Sequence, residues 1–167
     1  MQPLEAPDSH HVRAAEGWLE LGSPAEAVAE LALVASEHQR HPDVLEIRWA
    51  LHANARQWDA ALEAARELVL AAPDRASGWL HQAYALRRTT GGGLTRAREA
   101  LKPAADSFPK EPVIPFNLAC YACQLGQLDE ARGWLQRAMK VGGKESIKRM
   151  ALADEDLKPL WQEIAGL

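Results

Sequence analysis

The stretch that decides the fold spans residues 112–143 and reads PVIPFNLACYACQLGQLDEARGWLQRAMKVGG. An apolar helical pattern with small residues at Ala119 and Ala122 breaks at Gly126, and a second pattern then runs through Ala131. This spacing predicts two short amphipathic helices joined by a glycine turn. Because neither helix could bury its apolar face alone, the unit predicts that several copies of it stack on one another.

Copies of this unit recur along the chain. An alanine in the same local context is found at Ala27, Ala61, Ala97 and Ala131, at spacings of 34, 36 and 34 residues. A period of about 34 residues is typical of stacked helical hairpins. The sequence therefore predicts an all-α solenoid of antiparallel hairpins, which is a scaffold for binding whose partner the pattern does not identify.

The repeat sets the expected domain boundaries. The predicted segments are a leader at 1–8, four hairpins at about 9–41, 42–72, 73–109 and 110–143, and C-terminal capping helices at 144–167. The apolar residues of the last segment are expected to cover the open face of the fourth hairpin.

Capping signals set the expected ends of the first two helices. Ser9 is expected to cap the first helix, and Ser23 is expected to cap the second through a capping box with Glu26. Relative to the repeat alanine, Pro42 lies three residues later than the closing prolines of the next two hairpins. The second helix is therefore expected to be about one turn longer than its counterparts.

Three departures from the repeat carry local predictions. Arg56 stands where the other copies have a turn glycine, so the second turn is expected to be tighter or irregular. Three consecutive glycines at 91–93 predict a loop, because each would cost a helix roughly 1 kcal/mol. Pro103 lies inside a helical pattern and predicts a kink or a lost hydrogen bond.

Composition and charge bound the class of protein. The chain has 167 residues rich in Ala and Leu, a formal charge of −4 and a pI of about 5.9, so nothing in its charge favours nucleic acid or an anionic membrane as partner. No apolar run reaches the length of a membrane span. The N-terminal residues MQPLEAPDSHH lack the features of a signal peptide, and two cysteines fit a reducing compartment. A cytoplasmic location is expected.

Over about residues 9–143 the chain resembles the tetratricopeptide repeat (TPR) family, and its tail resembles the capping helices that often follow such arrays. The resemblance rests on four sets of residues: the repeat alanines Ala27, Ala61, Ala97 and Ala131, the turn glycines Gly22, Gly92 and Gly126, the apolar residues Leu31, Ala65, Leu101 and Leu135, and the closing prolines Pro42, Pro73 and Pro109. It implies a TPR-like superhelix with a non-enzymatic role in protein binding.

The first helices also carry a small residue at the position where neighbouring helices approach closely. Ala15, Ala83 and Ala119 occupy it in three copies. In the second copy Trp49 falls near this position, unless a local shift of one residue brings Ala50 there instead.

No motif predicts catalysis, a metal site or a cofactor. Cys120 and Cys123 form a C-x-x-C inside a helix, where packing is expected and a redox or metal role is the alternative. The six histidines lack a metal-binding spacing, and the triple glycine lacks the Lys-Ser/Thr of a phosphate-binding loop. The densest basic cluster is interpreted either as a solvated surface or as a rim for a docking partner: Arg87, Arg88, Arg96 and Arg98.

The first helices of the hairpins are expected to line a concave groove that receives a peptide or a helical segment. The predicted groove residues are Leu80, His81, Tyr84 and Arg88 of the third hairpin and Phe116, Asn117, Cys120 and Gln124 of the fourth. Packing between hairpins is the alternative role for the larger apolar members. The first two hairpins add acidic residues, which would orient a bound segment by charge: Glu16, Glu20, Asp43 and Glu46.

The leading functional hypothesis is therefore a protein-interaction module for a protein or peptide partner. A second hypothesis is a small chaperone resembling the class II chaperones of type III secretion, which are acidic and all-helical. A third is a redox or metal enzyme built on Cys120 and Cys123. The clamp with which some TPR proteins hold a C-terminal carboxylate needs lysine, arginine and asparagine on successive first helices, and only Asn117 fits it.

Overall fold

A computed structural model describes residues 3–167, and all regular structure in that range is helical. The α-helices are α1 (Asp8–Glu20), α2 (Pro24–Leu33), α3 (Pro42–Asn54), α4 (Trp58–Ala71), α5 (Ala76–Leu86), α6 (Leu94–Leu101), α7 (Ala104–Ser107), α8 (Val113–Gln124), α9 (Leu128–Gly142), α10 (Lys144–Ala153) and α11 (Trp161–Gly166). Two 3-10 helices, Ser36–His38 and Glu155–Leu160, lie between them.

Contacts within the chain divide it into two compact units, one that ends at Ala85 and one that spans Leu86–Leu167. In the first unit α1 packs against α2 and α3 against α4, and in the second α8 packs against α9. Each of these pairs is joined by a short turn, so its helices are antiparallel. The predicted all-α fold of helical hairpins is confirmed.

The repeat alanines of the second helices lie in the interior of the fold. Ala27, Ala61, Ala97 and Ala131 all have 0% of their surface exposed. Ala15, Ala83 and Ala119 of the first helices are likewise completely buried. At the four repeat positions of the second helices, a side chain larger than a methyl group would separate the packed helices, which explains why the period of the sequence is carried by alanine.

The start of α1 differs from the expected cap. The helix begins at Asp8 rather than after Ser9, and the Asp8 side chain is buried, with 5% of its surface exposed. Its carboxylate accepts a hydrogen bond from the Ala35 backbone N–H at 3.1 Å and contacts His38 Nδ1 at 2.5 Å. Asp8 is the last residue of the predicted leader, whose first two residues, Met1 and Gln2, lie outside the described part of the chain.

The second helix is shorter than predicted. Instead of an extra turn, α2 ends at Leu33, and a separate 3-10 helix follows at Ser36–His38. The Gln39 side chain stops the helix by donating hydrogen bonds to the carbonyls of Leu31 and Val34 at 2.9 and 2.8 Å. The prediction of a capping box at the start of α2 is also wrong, because the Ser23 side chain makes no cap hydrogen bond.

The turn at Arg56 is regular, contrary to the prediction. Arg56 has a φ of 56°, close to the 74° of Gly22 and the 75° of Gly126. Its N–H donates to the Ala53 carbonyl, and the following N–H donates to the His52 carbonyl, in the same pattern as at the two glycine turns. An arginine therefore adopts the left-handed conformation that the repeat demands, at a cost of roughly 1 kcal/mol relative to glycine.

The shared turn geometry also settles the register of the second hairpin. Since the turns at Arg56 and Gly126 match, no residue is inserted or deleted between helix and turn, and Trp49 occupies the position of the buried Ala119. The alternative shift that would place Ala50 there is wrong.

The third copy departs from the others at its glycines and its proline. The left-handed residues of the loop are Gly91 and Gly93, with φ of 75° and 108°, rather than Gly92. Gly92 is required for space, because a Cβ there would lie 1.9 Å from the Leu86 carbonyl oxygen. As predicted, the helix is interrupted at Pro103, which separates α6 from α7.

Candidate partner-binding faces

In the first unit, the first helices of two hairpins enclose an open groove. A cavity of about 350 Å³ lies between α1 and α3. Val12 and Ile47 are buried and form an apolar floor, beside the partly buried Leu4. The described residues that line this groove, which we call the α1–α3 groove, are Pro3, Leu4, Ser9, Val12, Arg13, Glu16, Asp43, Glu46 and Ile47.

One wall of the groove is a carboxylate held by two partners from α5. Glu46 contacts His81 Nε2 at 2.7 Å and accepts a hydrogen bond from the Ser77 hydroxyl. Partial burial opposes ionisation of Glu46, but the hydrogen bonds from His81 and Ser77 outweigh it and hold the pKa of Glu46 below its ordinary value. Glu46 is therefore a fixed negative charge at neutral pH.

Aromatic side chains continue this surface from α3 onto α5. The Trp49 ring stacks on His81 with centroids 3.6 Å apart, and it meets Tyr84 edge-on at 6.0 Å. Tyr84 also meets Trp58 edge-on at 5.9 Å, yet 40% of its surface is exposed. The Trp49 indole N–H is buried and finds no hydrogen-bond acceptor among residues 3–167.

Three of the predicted groove residues lie on α5, within the first unit. Leu80 is partly buried, while His81 and Tyr84 belong to the polar and aromatic surface just described. Arg88 lies in the second unit and is half-buried. The sequence predicts Glu46 only as an acidic groove residue and marks Trp49 only as a departure from the repeat. No signal in the sequence indicated that both would contact His81.

The predicted groove residues of the fourth hairpin lie on α8, and the C-terminal segment of the chain covers part of that helix. Phe116 and Cys120 are 6% and 3% exposed and pack in one core cluster with Leu157 and Leu160. The Gln124 side chain donates to the Asp156 carbonyl at 3.1 Å. The helix α8 contacts the 3-10 helix Glu155–Leu160. This contact depends on long-range packing that the repeat pattern does not encode.

Polar contacts fix this segment in place. The Arg87 guanidinium makes a two-pronged ion pair with Asp156, with one N–O distance of 3.1 Å, and also lies 5.7 Å from the centre of the Tyr121 ring. The hydrogen bond to Asp156 raises the pKa of Arg87 above its ordinary value. Asn117, the remaining predicted residue, donates from its side chain to the Val113 carbonyl of its own helix at 2.9 Å.

The two cysteines of the C-x-x-C are free thiols inside α8. Burial raises the pKa of Cys120, and the nearby carboxylates of Asp154 and Asp156 raise it further. Burial also raises the pKa of Cys123. Both groups are therefore protonated at neutral pH, whereas a reactive cysteine needs a lowered pKa.

Metal-binding clusters and membrane-spanning helices are both absent from residues 3–167. No group of three or more histidine, cysteine, aspartate or glutamate side chains in that range could hold a metal ion. None of the helices described there combines the length and the apolar character that crossing a bilayer requires.

Solved structures with the same architecture are found at low sequence identity. The crystal structure of MamA superposes with a TM-score of 0.70 at 14% identity, over 84% of this chain and 81% of that chain. A double mutant of MamA RS-1 gives 0.69 at 18% identity, over 85% and 79%. A thermophilic TPR protein from Thermus thermophilus gives 0.68 at 19% identity, over 96% of this chain and all of that one.

Comparison at the level of sequence gives a different result. No family model matches the chain, and no curated protein is significantly similar to it. The structural similarities, together with the helical hairpins of both units, show that the chain has a TPR-like fold.

Proposed function

We propose that this protein is a non-enzymatic interaction module that receives a peptide or a helical segment of another protein on the first helices of its hairpins. TPR-like neighbours support a scaffold for protein binding. Of the predicted binding residues, Leu80, His81 and Tyr84 of the first unit belong to the proposed partner face. We propose that the predicted residues of the second unit support that unit rather than make the first contact with a partner: Arg88, Phe116, Asn117, Cys120 and Gln124.

The observation that carries the proposal is the contrast between the α1–α3 groove and α8. The groove is open, has an apolar floor and polar walls, and has a volume within the range of ligand-binding clefts. On α8, the side chains of Phe116 and Cys120 are already buried beneath the chain's own C-terminal segment. We therefore place the first contact of a partner on α1, α3 and α5, and assign Phe116 and Cys120 a supporting role in the core.

The proposal also includes a cytoplasmic location. It further includes the absence of catalysis, of a cofactor, and of nucleic-acid and membrane partners. The raised pKa values of Cys120 and Cys123 support it, because a protonated thiol is a poor nucleophile and a poor metal ligand. The two free thiols are also in keeping with a reducing compartment.

A displayed library of random peptides tests the proposal without knowledge of the natural partner. We expect the purified protein to select peptides that bind in the micromolar range, and fluorescence anisotropy to show weaker binding to Tyr84→Ala than to the unsubstituted protein. Truncation of an exposed aromatic contact in an interface costs about 1 kcal/mol or more, which is roughly a fivefold loss of affinity.

The matched control is Trp18→Ala, since Trp18 is 37% exposed and lies on α1 outside the groove lining. If Tyr84→Ala lowers only the free energy of unfolding and leaves peptide binding unchanged, Tyr84 serves packing and its assignment to the binding face fails. A library that yields no binding peptide would contradict the proposed function itself.

The chaperone alternative differs in the state of the bound partner. A client that stays unfolded in the complex, detected by fast amide hydrogen exchange throughout its length, would favour the chaperone. A partner that contributes one short ordered segment would favour the interaction module.

A further inference from the structure

We infer that the occupant of the α1–α3 groove is a basic segment, in which a lysine or arginine lies next to an apolar residue. This inference rests on the proposed function and narrows it to one class of partner. It follows from the distribution of charge between the units, from the pairing of the groove carboxylates and from the shape of the groove.

The first unit is strongly acidic. Up to Ala85 the sequence contains thirteen aspartates and glutamates and six arginines, with no lysine, which gives a formal charge of −7. The second unit contains ten acidic and thirteen basic residues, for a charge of +3. A net field of this sign around a cleft attracts cationic segments and repels anionic ones.

The carboxylates of the groove differ in whether they have a hydrogen-bond or ion-pair partner within the chain. Asp43 accepts a hydrogen bond from Arg75 at 2.6 Å, and Glu46 is held by His81 and Ser77. Glu16 is exposed on α1 and has no ion-pair partner within residues 3–167. Among the described residues of the lining, Arg13 is the only basic one, and its Nε donates to the Ser9 carbonyl at 3.2 Å.

The shape of the groove fits a long cationic side chain. Val12 and Ile47 of the floor could cover the methylene stem of a lysine or arginine, while its charged end reaches Glu16 at the rim. Long basic side chains commonly bury their stems in this way and keep the charge near water. The remaining floor, beside Leu4, is free to take an adjacent apolar residue.

The test compares three labelled peptides that share one framework of leucine and serine and carry lysine, glutamine or glutamate at the same positions. We expect the lysine peptide to bind at least about tenfold more tightly than the glutamate peptide at low salt. We also expect this preference to shrink as the ionic strength rises from about 0.05 to 0.5 M, since exposed charges are then screened.

Substitutions locate the binding to the groove. Glu16→Lys is expected to weaken binding of the lysine peptide by about fivefold to tenfold, and Glu16→Gln by less. Glu26→Lys makes the same change of charge on an exposed residue of α2 outside the groove, and should weaken binding by less than about twofold. Because Glu16 is exposed, its variants are expected to fold, which circular dichroism would verify.

The possible outcomes separate this inference from the proposed function. If the random library yields peptides that bind in the groove but are neutral or acidic, the basic-segment inference fails and the interaction module stands. If the lysine peptide binds Glu16→Lys and Glu26→Lys equally well, the attraction is diffuse and the inference fails as well. If neither the library nor the three peptides give binding, the proposed function fails.

Discussion

The two units build the same kind of hairpin but bury their first helices differently. In the first unit, α1 and α3 are buried over only part of their surface, and both contribute side chains to an open groove. In the second, α8 is buried on nearly all sides by α9, the C-terminal segment and other neighbours. The buried residues of α8 are Ile114, Pro115, Phe116, Leu118, Ala119, Cys120, Tyr121, Ala122 and Cys123.

The two units also differ in which ionisable residues they contain. All six histidines lie in the first unit, and three of them contact carboxylates across separate elements: His11 with Glu30, His38 with Asp8 and His81 with Glu46. All six lysines and both cysteines lie in the second unit. The comparison teaches that one repeat pattern can give first helices of different burial: α1 and α3 keep polar residues at an open groove, whereas α8 is mostly apolar and buried.

Removal of residues 154–167 should have the largest effect, and it should be confined to the second unit. Leu157, Leu160 and Ile164 are each at most 1% exposed, and burial of each contributes about 1.5–3 kcal/mol. Together they approach the whole stability of a typical domain of about 5–15 kcal/mol. We expect aggregation and loss of the cooperative thermal transition of that unit, measured by calorimetry and light scattering.

The control for this truncation removes only residues 166–167, which are exposed. It should leave the transition unchanged. An equally stable and monomeric protein after removal of 154–167 would show that the C-terminal segment is not required to cover α8.

A second prediction contrasts one residue from each unit. Leu160→Ala should lower the free energy of unfolding by about 2–4 kcal/mol, because it leaves a cavity in the core. Tyr84→Ala should cost less than about half as much, because 40% of the Tyr84 surface is exposed. Urea denaturation of both variants measures the difference. Equal losses would mean that the surface of α5 is as closely packed as the cap.

A smaller effect is expected at the turns of the two units. Arg56→Gly should raise the free energy of unfolding by about 0.5–1 kcal/mol, because glycine adopts a φ of 56° without strain. Gly126→Ala should lower it by about 1 kcal/mol for the same reason. Urea unfolding would compare both variants with the unsubstituted protein. Stabilisation by Gly126→Ala would refute the shared geometry of these turns.

The smallest effect concerns the dependence of stability on pH. Because the pKa of Glu46 is lowered in the folded protein from an ordinary value of 4.5, its ionised form stabilises the first unit above that pH. This stabilisation is lost as the pH falls through the lowered pKa. Glu46→Gln should therefore cost at most about 1 kcal/mol at pH 7, and the difference from the unsubstituted protein should shrink as the pH is lowered below 4.5. A constant difference over that range would contradict this account of Glu46.

The sequence predicted the hairpins well because their period depends on local packing. The four repeat alanines and the alanines of the first helices are completely buried, as a close approach of helices requires. The break at Pro103 also followed from the residue itself, since proline lacks the N–H of a helix interior.

The errors arose where distant residues decide the local structure. The end of α2 is set by the side chains of Gln39 and Asp8, which a repeat comparison does not consider. The regular turn at Arg56 requires a conformation that propensity disfavours but the packing of α3 on α4 imposes. A cover over the fourth hairpin was expected, but not that it would include Phe116 and Cys120. These two residues pack in one cluster with Leu157 and Leu160, about forty residues away, which the sequence of α8 alone does not indicate.

Hydrogen exchange with a selected peptide bound tests the central claim, that α1, α3 and α5 form the partner face and α8 does not. We predict that a peptide chosen from the random library slows amide exchange in α1, α3 and α5 and leaves α8 and Glu155–Leu160 unchanged. Slower exchange limited to α8, or faster exchange in Glu155–Leu160 as the peptide displaces it, would place the binding site on the second unit and contradict the account.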